Sequence, residues 1–520
     1  MSAVRHPPAF LVLAGGAAAV AVSLPLLYLL ITVGGSLGEA IDTVATSRTL
    51  ALTARSVGLA LAVAVAATAL AVPLAWLTTR TDLPGRRMWA VAAALPLVIP
   101  SYIGAYAILS ALGPAGLLRD ALQGPFGVER LPDITGFFGA WLVLTLFTYP
   151  LVLLPARVAL RGLDPQLEEV ALSLGRSRWQ TFRSVILPQL APAIGAGAVL
   201  VALYVLHDFG AVSILRFDSF TREIYTSYRA SFDRTGAAAL ALILVALMLV
   251  LLWLEGLVGR GVVLHRSTPG AVRRAPIVPL GRWKLPALSF CALVCSLALA
   301  LPALVLVYWS LKSFAGSTDL GEIASAAGGS LLLSGAAAAA AALCALPIAV
   351  LSVRFPGLAS RMVERLGHTG YALPGIVVAL ALVFFATRAM PAVYQTLGLL
   401  VFAFVVLFLP LAIASARATL QQVPPSLEEA ARTMGRSPLE VLRTVTAPLM
   451  AGGIGAGAAL VFLTAIKELP ATLILAPTGF ETLATEIWTA TSVGFFERGA
   501  VPSLVLLAIS APSLYFLLDD

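Results

Sequence analysis

Four ionisable residues stand inside long apolar segments of this 520-residue chain: His207, Asp208, Lys467 and Glu468. Charged side chains are costly in an apolar segment of membrane length, and those that occur there commonly serve the passage of an ion or substrate. The second pair follows the first at an interval of 260 residues, and each pair precedes a helix breaker, Gly210 or Pro470. Two interpretations stay open: the four side chains line a translocation path or gate, or they reach the membrane surface and pair locally.

Residue patterns for catalysis are absent from the sequence. The chain has three lysines, and none follows the glycines of a G-x-x-x-x-G-K-[ST] loop that would hold the phosphates of ATP. Its three cysteines are too few for a soft-metal site, and we interpret them as small buried apolar residues. We therefore predict no catalytic residue, no metal site and no cofactor bound by this chain, which we expect not to be an enzyme.

The composition predicts an all-α polytopic membrane protein. Hydrophobic residues make up 59% of the chain and charged residues only 12%, and the mean hydropathy is +0.95. Apolar runs near the ~20 residues that cross a bilayer recur along the sequence. We predict twelve membrane helices, in two pseudo-symmetric halves of six, near residues 9–33, 55–79, 88–112, 137–157, 191–214, 237–258, 286–311, 330–352, 368–387, 395–416, 450–476 and 500–518.

One stretch of the sequence occurs twice. Residues 167–188 read LEEVALSLGRSRWQTFRSVILP, and residues 427–448 read LEEAARTMGRSPLEVLRTVTAP, at an offset of 260 residues. Two copies in one register indicate a tandem duplication. A weaker repeat at an offset of 274 relates Ser56, Pro73, Arg80 and Pro100 to Ser330, Pro347, Arg354 and Pro374.

Each copy is predicted to begin with a short amphipathic helix. Apolar residues at i, i+3, i+4 and i+7 start from Leu167 in the first copy and from Leu427 in the second. Asp164 is a predicted N-cap of the first helix, and Ser426 with Glu429 is a predicted capping box for the second copy.

A glycine turn and a second helix are predicted to follow. Gly175 and Gly435 suit the left-handed position that ends a helix. Capping boxes then predict the start of the next helix in each copy, Ser177 with Gln180 and Ser437 with Glu440. The repeated unit is therefore a helical hairpin between apolar spans.

The hairpin resembles the EAA loop of the permease subunits of ABC importers, in which E-A-A is followed by three residues, a glycine and, thirteen residues later, a proline. The first copy departs from the pattern only at Val170. The resemblance implies a coupling helix that docks into a groove of an ATPase subunit, whereas the alternative is a plain amphipathic hairpin on the membrane surface. The implied coupling residues are Glu168, Glu169, Ala171, Gly175, Arg176, Glu428, Glu429, Ala431, Gly435 and Arg436.

Basic residues concentrate on one side of the predicted membrane. Loops on the side of the two hairpins carry 22 Lys and Arg residues, and loops on the other side carry 11. Such an excess marks the cytoplasmic side, so we predict both termini there. Residues 260–284, rich in Pro, Gly and basic residues, form a predicted cytoplasmic linker between a first half, 1–259, and a second half, 285–520. The linker lacks interleaved aromatic residues, so we expect no nucleic-acid partner.

Two segments on the opposite side mix aromatic and charged residues. Residues 220–234 are similar to residues 483–498, and such segments suit a partner surface or an interfacial anchor. The candidate contacts to a periplasmic binding protein are Glu223, Tyr225, Asp233, Glu486, Trp488 and Glu497. Residues 206–228 and 467–488 are also similar to the corresponding stretches of fused ferric-iron ABC permeases.

The resemblance implies a multi-pass permease subunit of an ABC importer in a bacterial inner membrane. Its expected partners are the lipid bilayer, two copies of an ATPase that carries the ATP and Mg, and a periplasmic substrate-binding protein, which we expect to carry Fe³⁺. Permeases for thiamine, phosphonate or polyamines are the alternatives. A different class, a secondary transporter driven by an ion gradient, would use Asp208 and Glu468 as ion carriers.

Overall fold

The computed structural model describes residues 7–229, 234–259, 277–315 and 319–512. Regular structure within these ranges is helical, apart from one isolated bridge between Thr81 and Val278. The predicted all-α class is therefore confirmed.

The described residues before the linker form fourteen α-helices. Their bounds are α1 (Ala9–Gly35), α2 (Leu37–Val44), α3 (Ser47–Arg80), α4 (Arg86–Ala92), α5 (Ser101–Leu112), α6 (Leu117–Phe126), α7 (Phe137–Thr148), α8 (Pro150–Gly162), α9 (Pro165–Ser173), α10 (Arg178–Thr181), α11 (Leu187–His207), α12 (Gly210–Ile214), α13 (Phe220–Arg229) and α14 (Arg234–Gly259).

The part after the linker repeats this plan. Its helices are α15 (Lys284–Cys295), α16 (Leu301–Ala315), α17 (Leu320–Arg354), α18 (Leu358–Gly367), α19 (Gly375–Ala389), α20 (Leu397–Gln422), α21 (Pro425–Thr433), α22 (Pro438–Val441), α23 (Ala447–Ala465), α24 (Pro470–Leu475), α25 (Leu483–Ser492) and α26 (Phe496–Ser510).

Ten helical segments of the described residues are long and apolar enough to cross a membrane. An eleventh span arises if residues 358–372 and α19, which meet at a bend of 108°, are counted together. The predicted count of twelve is therefore not confirmed. Pro374, just before α19, accounts for part of the difference, because a proline disfavours helical backbone at the residue before it. The predicted last span, 500–518, extends beyond the described residues.

The two halves interlock. Helix α1 packs against α17, α18 and α19 of the second half, where Leu11 joins an apolar cluster with Leu351 and Phe355. In the other direction, α16 packs against α5 of the first half, and the indole Nε1 of Trp309 donates a hydrogen bond of 2.6 Å to Ser110 Oγ. Each half therefore contributes its first long helix to the core of the other.

The described end of the predicted linker lies against the end of α3. The backbone N–H of Val278 donates to the carbonyl of Arg80 at 2.8 Å, and Lys284 Nζ lies 2.8 Å from Asp82 Oδ2. Hydrogen bonds from Lys284 and from the backbone N–H of Leu280 lower the pKa of Asp82. Residues 260–276 of the predicted linker lie outside the described residues.

Candidate functional site

The first repeated stretch forms the predicted hairpin of α9 and α10. Asp164 Oδ1 caps α9 by accepting from the backbone N–H of Gln166 at 3.0 Å. At the other end Gly175 has φ +82°, and the N–H of Arg176 returns to the carbonyl of Ala171 at 3.1 Å. This left-handed ending satisfies carbonyls of the last helical turn, as predicted from the glycine.

The second hairpin, α21 and α22, ends in the same way but begins differently. Gly435 has φ +83°, and the N–H of Arg436 bonds the carbonyl of Ala431 at 3.2 Å. The predicted capping box of Ser426 with Glu429 is wrong. The helix begins at Pro425 without a side-chain cap, because the fixed φ of that proline places Ser426 already inside the first turn.

The second helix of each hairpin begins with the predicted capping box. Ser177 with Gln180, and Ser437 with Glu440, exchange both hydrogen bonds. Arg176 reaches across the turn to Ser184, as Arg436 reaches Thr444 at 2.6 Å. One π-helical turn follows in each copy, at residues 182–186 and 442–446.

The apolar stripe of the first hairpin helix is mostly exposed. Leu174 is 76% exposed and its counterpart Met434 is 72% exposed, and Leu167 and Val170 also face outward. Glu169 and Glu429 are exposed as well. The tip of each hairpin therefore presents apolar side chains beside a carboxylate.

The buried face of each first helix holds a carboxylate that the sequence pattern did not single out for burial. Glu168 pairs with Arg80 at the end of α3. Glu428 Oε1 accepts a hydrogen bond of 3.0 Å from Arg354 Nε at the end of α17. Both arginines belong to the repeat at an offset of 274, and that recurrence is a sequence signal for Arg80 and Arg354, although it does not indicate which glutamate each one meets.

A buried carboxylate of the first half caps a broken membrane helix. Asp208 follows the last residue of α11, and its Oδ1 accepts from the N–H groups of Ala211 at 3.0 Å and Val212 at 3.2 Å. Its other oxygen accepts from the hydroxyl of Ser101, the first residue of α5. The start of α12 therefore supplies donors to one carboxylate oxygen, and the first side chain of α5 supplies a donor to the other.

Glu468 occupies the equivalent place in the second half. Its Oε1 accepts from the N–H of Ala471 at 3.3 Å, at the start of α24. A Cβ on Gly375, the first residue of α19, would clash with the same oxygen. Gly375 is the counterpart of Ser101 at the offset of 274, so the longer carboxylate of the second half meets a glycine and the shorter one meets a serine.

The other two predicted path residues adjoin these carboxylates. His207 is the last residue of α11, and Lys467 lies in the break between α23 and α24, and both side chains are half-buried. Tyr102 and Tyr204 of the first half lie close enough to Glu468 of the second for an electrostatic interaction. Oxygen-bearing side chains of both halves therefore approach one another, which the sequence did not reveal. Among the described residues no cluster of His, Cys, Asp and Glu could hold a metal ion.

Comparisons with known proteins agree with this duplicated architecture. The sequence matches the family described as binding-protein-dependent transport system inner membrane component twice, over residues 95–263 and 341–519. It is 32% identical over 517 residues to the Fe(3+)-transport system permease protein FbpB 2 of Haemophilus influenzae, which covers 99% of this chain and 98% of that protein.

The chain belongs to the binding-protein-dependent inner membrane permeases.

Shorter relatives cover one part of the permease. The molybdenum transport system permease protein ModB of Escherichia coli is 32% identical over 182 residues, 34% of this chain and 78% of that protein. The sulfate transport system permease protein CysT of Escherichia coli is 31% identical over 217 residues, 37% of this chain and 71% of that protein. Because the family match occurs twice in one polypeptide, the chain is a fused, duplicated permease.

Aromatic residues of both halves of the permease meet beside Asp208. The ring of Phe209 lies 5.0 Å from that of Tyr225 and 5.1 Å from that of Trp488, centroid to centroid. Tyr225 and Trp488 are both half-buried. We name Phe209, Tyr225 and Trp488 the aromatic junction.

The other predicted contacts to a binding protein lie in different environments from one another. Glu223 Oε1 pairs with Arg48 Nη2 at 2.6 Å. Burial, together with the neighbouring Glu481 and Glu322, raises the pKa of Glu486. Glu497 is exposed, and Asp233 lies outside the described residues.

Proposed function

We propose that this permease is the membrane subunit of an ABC importer that moves ferric iron from a periplasmic binding protein across a bacterial inner membrane. The observation that carries the proposal is the similarity to an Fe(3+)-transport permease over 99% of the chain. The molybdenum and sulfate permeases match little more than a third of it.

The two hairpins are the proposed docking sites for two copies of an ATPase subunit. Each presents exposed apolar side chains next to an exposed glutamate, Glu169 or Glu429, and a groove lined by apolar and basic groups would bind such a tip. The ATP and its Mg belong to that partner. Binding of ATP would draw the two ATPase copies together, and the hairpins would carry the movement into the membrane helices.

The proposed translocation path runs between the halves, past the two carboxylates. Asp208 and Glu468, with Tyr102 and Tyr204, offer oxygen atoms, the donors that a hard cation prefers. Carboxylates on the path would repel an oxyanion such as molybdate or sulfate, whereas Lys467 beside Glu468 would attract one, so the charges by themselves select no substrate. Thiamine and polyamines are also cations, and against them the proposal rests on similarity over the whole chain.

The proposed orientation places the hairpins in the cytoplasm with the N-terminus. Pro8 and Leu11 line the same cleft as Glu428 and Arg432 of the second hairpin. The described end of the linker contacts Arg80, which holds the first hairpin. These contacts, together with the excess of basic residues on this side, support a common cytoplasmic face.

Reconstitution tests the proposal. The permease would be inserted into liposomes with the ATPase and the binding protein that co-purify with it, and uptake of radioactive Fe³⁺ would be measured with and without ATP. We expect uptake that requires ATP and the binding protein and is stopped by vanadate. Uptake of molybdate, sulfate, thiamine, phosphonate or a polyamine in place of Fe³⁺ would refute the iron assignment. Uptake driven by an ion gradient without ATP would refute the ABC mechanism.

A further inference from the structure

In each half, the described residues include a buried ion pair between a long membrane helix and a hairpin. Arg80 is the last residue of α3, and its side chain is 2% exposed, while Glu168 is 10% exposed. Arg354 is the last residue of α17, and the corresponding fractions for Arg354 and Glu428 are 11% and 8%. The two pairs therefore occupy equivalent, largely dehydrated positions.

The pairs recur across unequal stretches of sequence. The partners are 88 residues apart in the first half and 74 residues apart in the second. The duplicated chain thus keeps the same contact although the intervening segment differs in length, so the contact does not follow from a fixed local spacing.

The carboxylates are the main buried groups of the first hairpin helices. The buried residues of α21 are Glu428 and Ala431, and those of α9 are Pro165, Glu168 and Ala171. Alanine and proline offer little surface for a directional contact. The ion pair therefore gives each of these helices a directional side-chain link to the membrane helix behind it.

The arginine of each pair has a further anchor. The guanidinium of Arg80 lies 5.7 Å from the ring centroid of Trp76, whose ring lies 5.0 Å from that of Phe182 in the same hairpin. Arg354 Nη2 donates to the carbonyl of Val423 at 2.8 Å, just before α21. A guanidinium held at more than one point transmits displacement better than a flexible surface pair, because little freedom of the side chain remains.

We propose that Arg80 and Arg354 are positioning residues for energy coupling, each transmitting the movement of a docked hairpin to its membrane helix through Glu168 or Glu428. This inference rests on the proposed function, because it assumes that an ATPase docks on the hairpins. It assigns the two buried glutamates to transmission and leaves docking to the exposed surface of the hairpins.

The test separates docking from transmission. The full complex of permease, ATPase and binding protein would be assembled in lipid nanodiscs with Glu168→Gln, Glu428→Gln or both. A pull-down measures docking, and Mg-ATP hydrolysis with and without the binding protein measures stimulation. We expect docking within about twofold of wild type and stimulation reduced about tenfold in the double variant, within the range of allosteric coupling.

A neighbouring ion pair supplies the matched control. Asp82 and Lys284 pair two residues beyond Arg80 but remain half-exposed, and they hold the linker rather than the hairpin. We expect Asp82→Asn to leave docking and stimulation unchanged. The charge-reversed variant Arg354→Glu/Glu428→Arg should recover part of the stimulation lost in Glu428→Gln.

A further variant distinguishes a loss of coupling from a loss of folding. Replacing a buried pair with apolar residues commonly preserves stability, so Arg354→Leu/Glu428→Leu should insert and dock but lack normal stimulation. Normal stimulation in this variant or in the glutamine variants would overturn the inference. So would charge reversal that recovers nothing, or loss of docking in every variant. A wild-type permease that binds no ATPase would instead refute the proposed function.

Discussion

Each half contains a hairpin ion pair and a membrane carboxylate, and the two halves surround these charged groups with different residues. At the hairpin, Arg80 lies against an aromatic ring, whereas Arg354 also bonds a backbone carbonyl. In the membrane, Asp208 bonds the hydroxyl of Ser101, whereas Glu468 fits over Gly375. The charges persist in both halves and the neighbours change. This contrast indicates that the position of each charge is the shared requirement, and that side-chain size is adjusted locally to meet it.

The strongest test of this contrast exchanges the carboxylate pocket of one half for that of the other. Gly375→Ser alone should reduce transport, because its Cβ would clash with Glu468 Oε1 and displace that carboxylate. Overpacking of this kind costs about 1–3 kcal/mol and shifts neighbours. Gly375→Ser with Glu468→Asp copies the first half and should recover transport, measured as uptake in proteoliposomes. Failure of the double variant, with the protein folded, would show that the two pockets are not equivalent.

The next test compares the two hairpin turns. Gly435→Asp forces a side chain into a left-handed position and places a new charge on the proposed docking surface, and we expect loss of ATPase binding in a pull-down. Glu429→Lys should weaken binding in the same way by reversing a charge. The same substitutions at Gly175 and Glu169 should weaken ATPase binding less, since Val170 shows that the first copy already departs from the family pattern.

The controls for that test are Gly435→Ala and Gly175→Ala. A Cβ at either position meets nothing within 4 Å, so only backbone strain on the order of 1 kcal/mol should appear. Both alanine variants should therefore still bind the ATPase. If the Gly175→Asp/Gly435→Asp double variant binds the ATPase as well as the wild type does, the hairpins do not dock.

A third test concerns the aromatic junction. The counterpart of Phe209 at the offset of 260 is Leu469, which is also buried. Phe209→Leu removes the ring contacts with Tyr225 and Trp488, worth about 0.5–1.5 kcal/mol each beyond the burial of apolar area. We expect the halves to separate more readily, seen as a raised rate of ATP hydrolysis without binding protein. Leu469→Val is the matched control and should leave that rate unchanged.

The smallest expected effect comes from the unequal helix starts. Asp164→Ala removes a side-chain cap from α9 and should lower stability by about 1 kcal/mol. Ser426→Ala should stay within about 0.5 kcal/mol, because Ser426 caps nothing in α21. Thermal unfolding in detergent would compare the two variants. A larger loss for Ser426→Ala would contradict the described start of α21.

Local rules predicted the hairpins well. The glycine turns and both serine capping boxes are short-range features, and they occur where the sequence places them. The one error, at Ser426, arose because two signals competed within three residues and the proline set the helix start. The membrane spans were harder to predict, because hydropathy detects apolar length and cannot show that a new helix begins after Pro100 or after Pro374.

The sequence by itself determined the duplication, the all-α membrane class and the permease family, because each depends on periodicity, composition or a local motif. Tertiary structure alone decided which glutamate of each EE pair is buried. Glu168 and Glu169 are adjacent, and only packing against Arg80 turns the first inward and leaves the second exposed. The approach of Tyr102 and Tyr204 to Glu468 depends in the same way on how the halves interlock. Contacts between residues hundreds of positions apart follow from the global arrangement of helices, which no local pattern encodes.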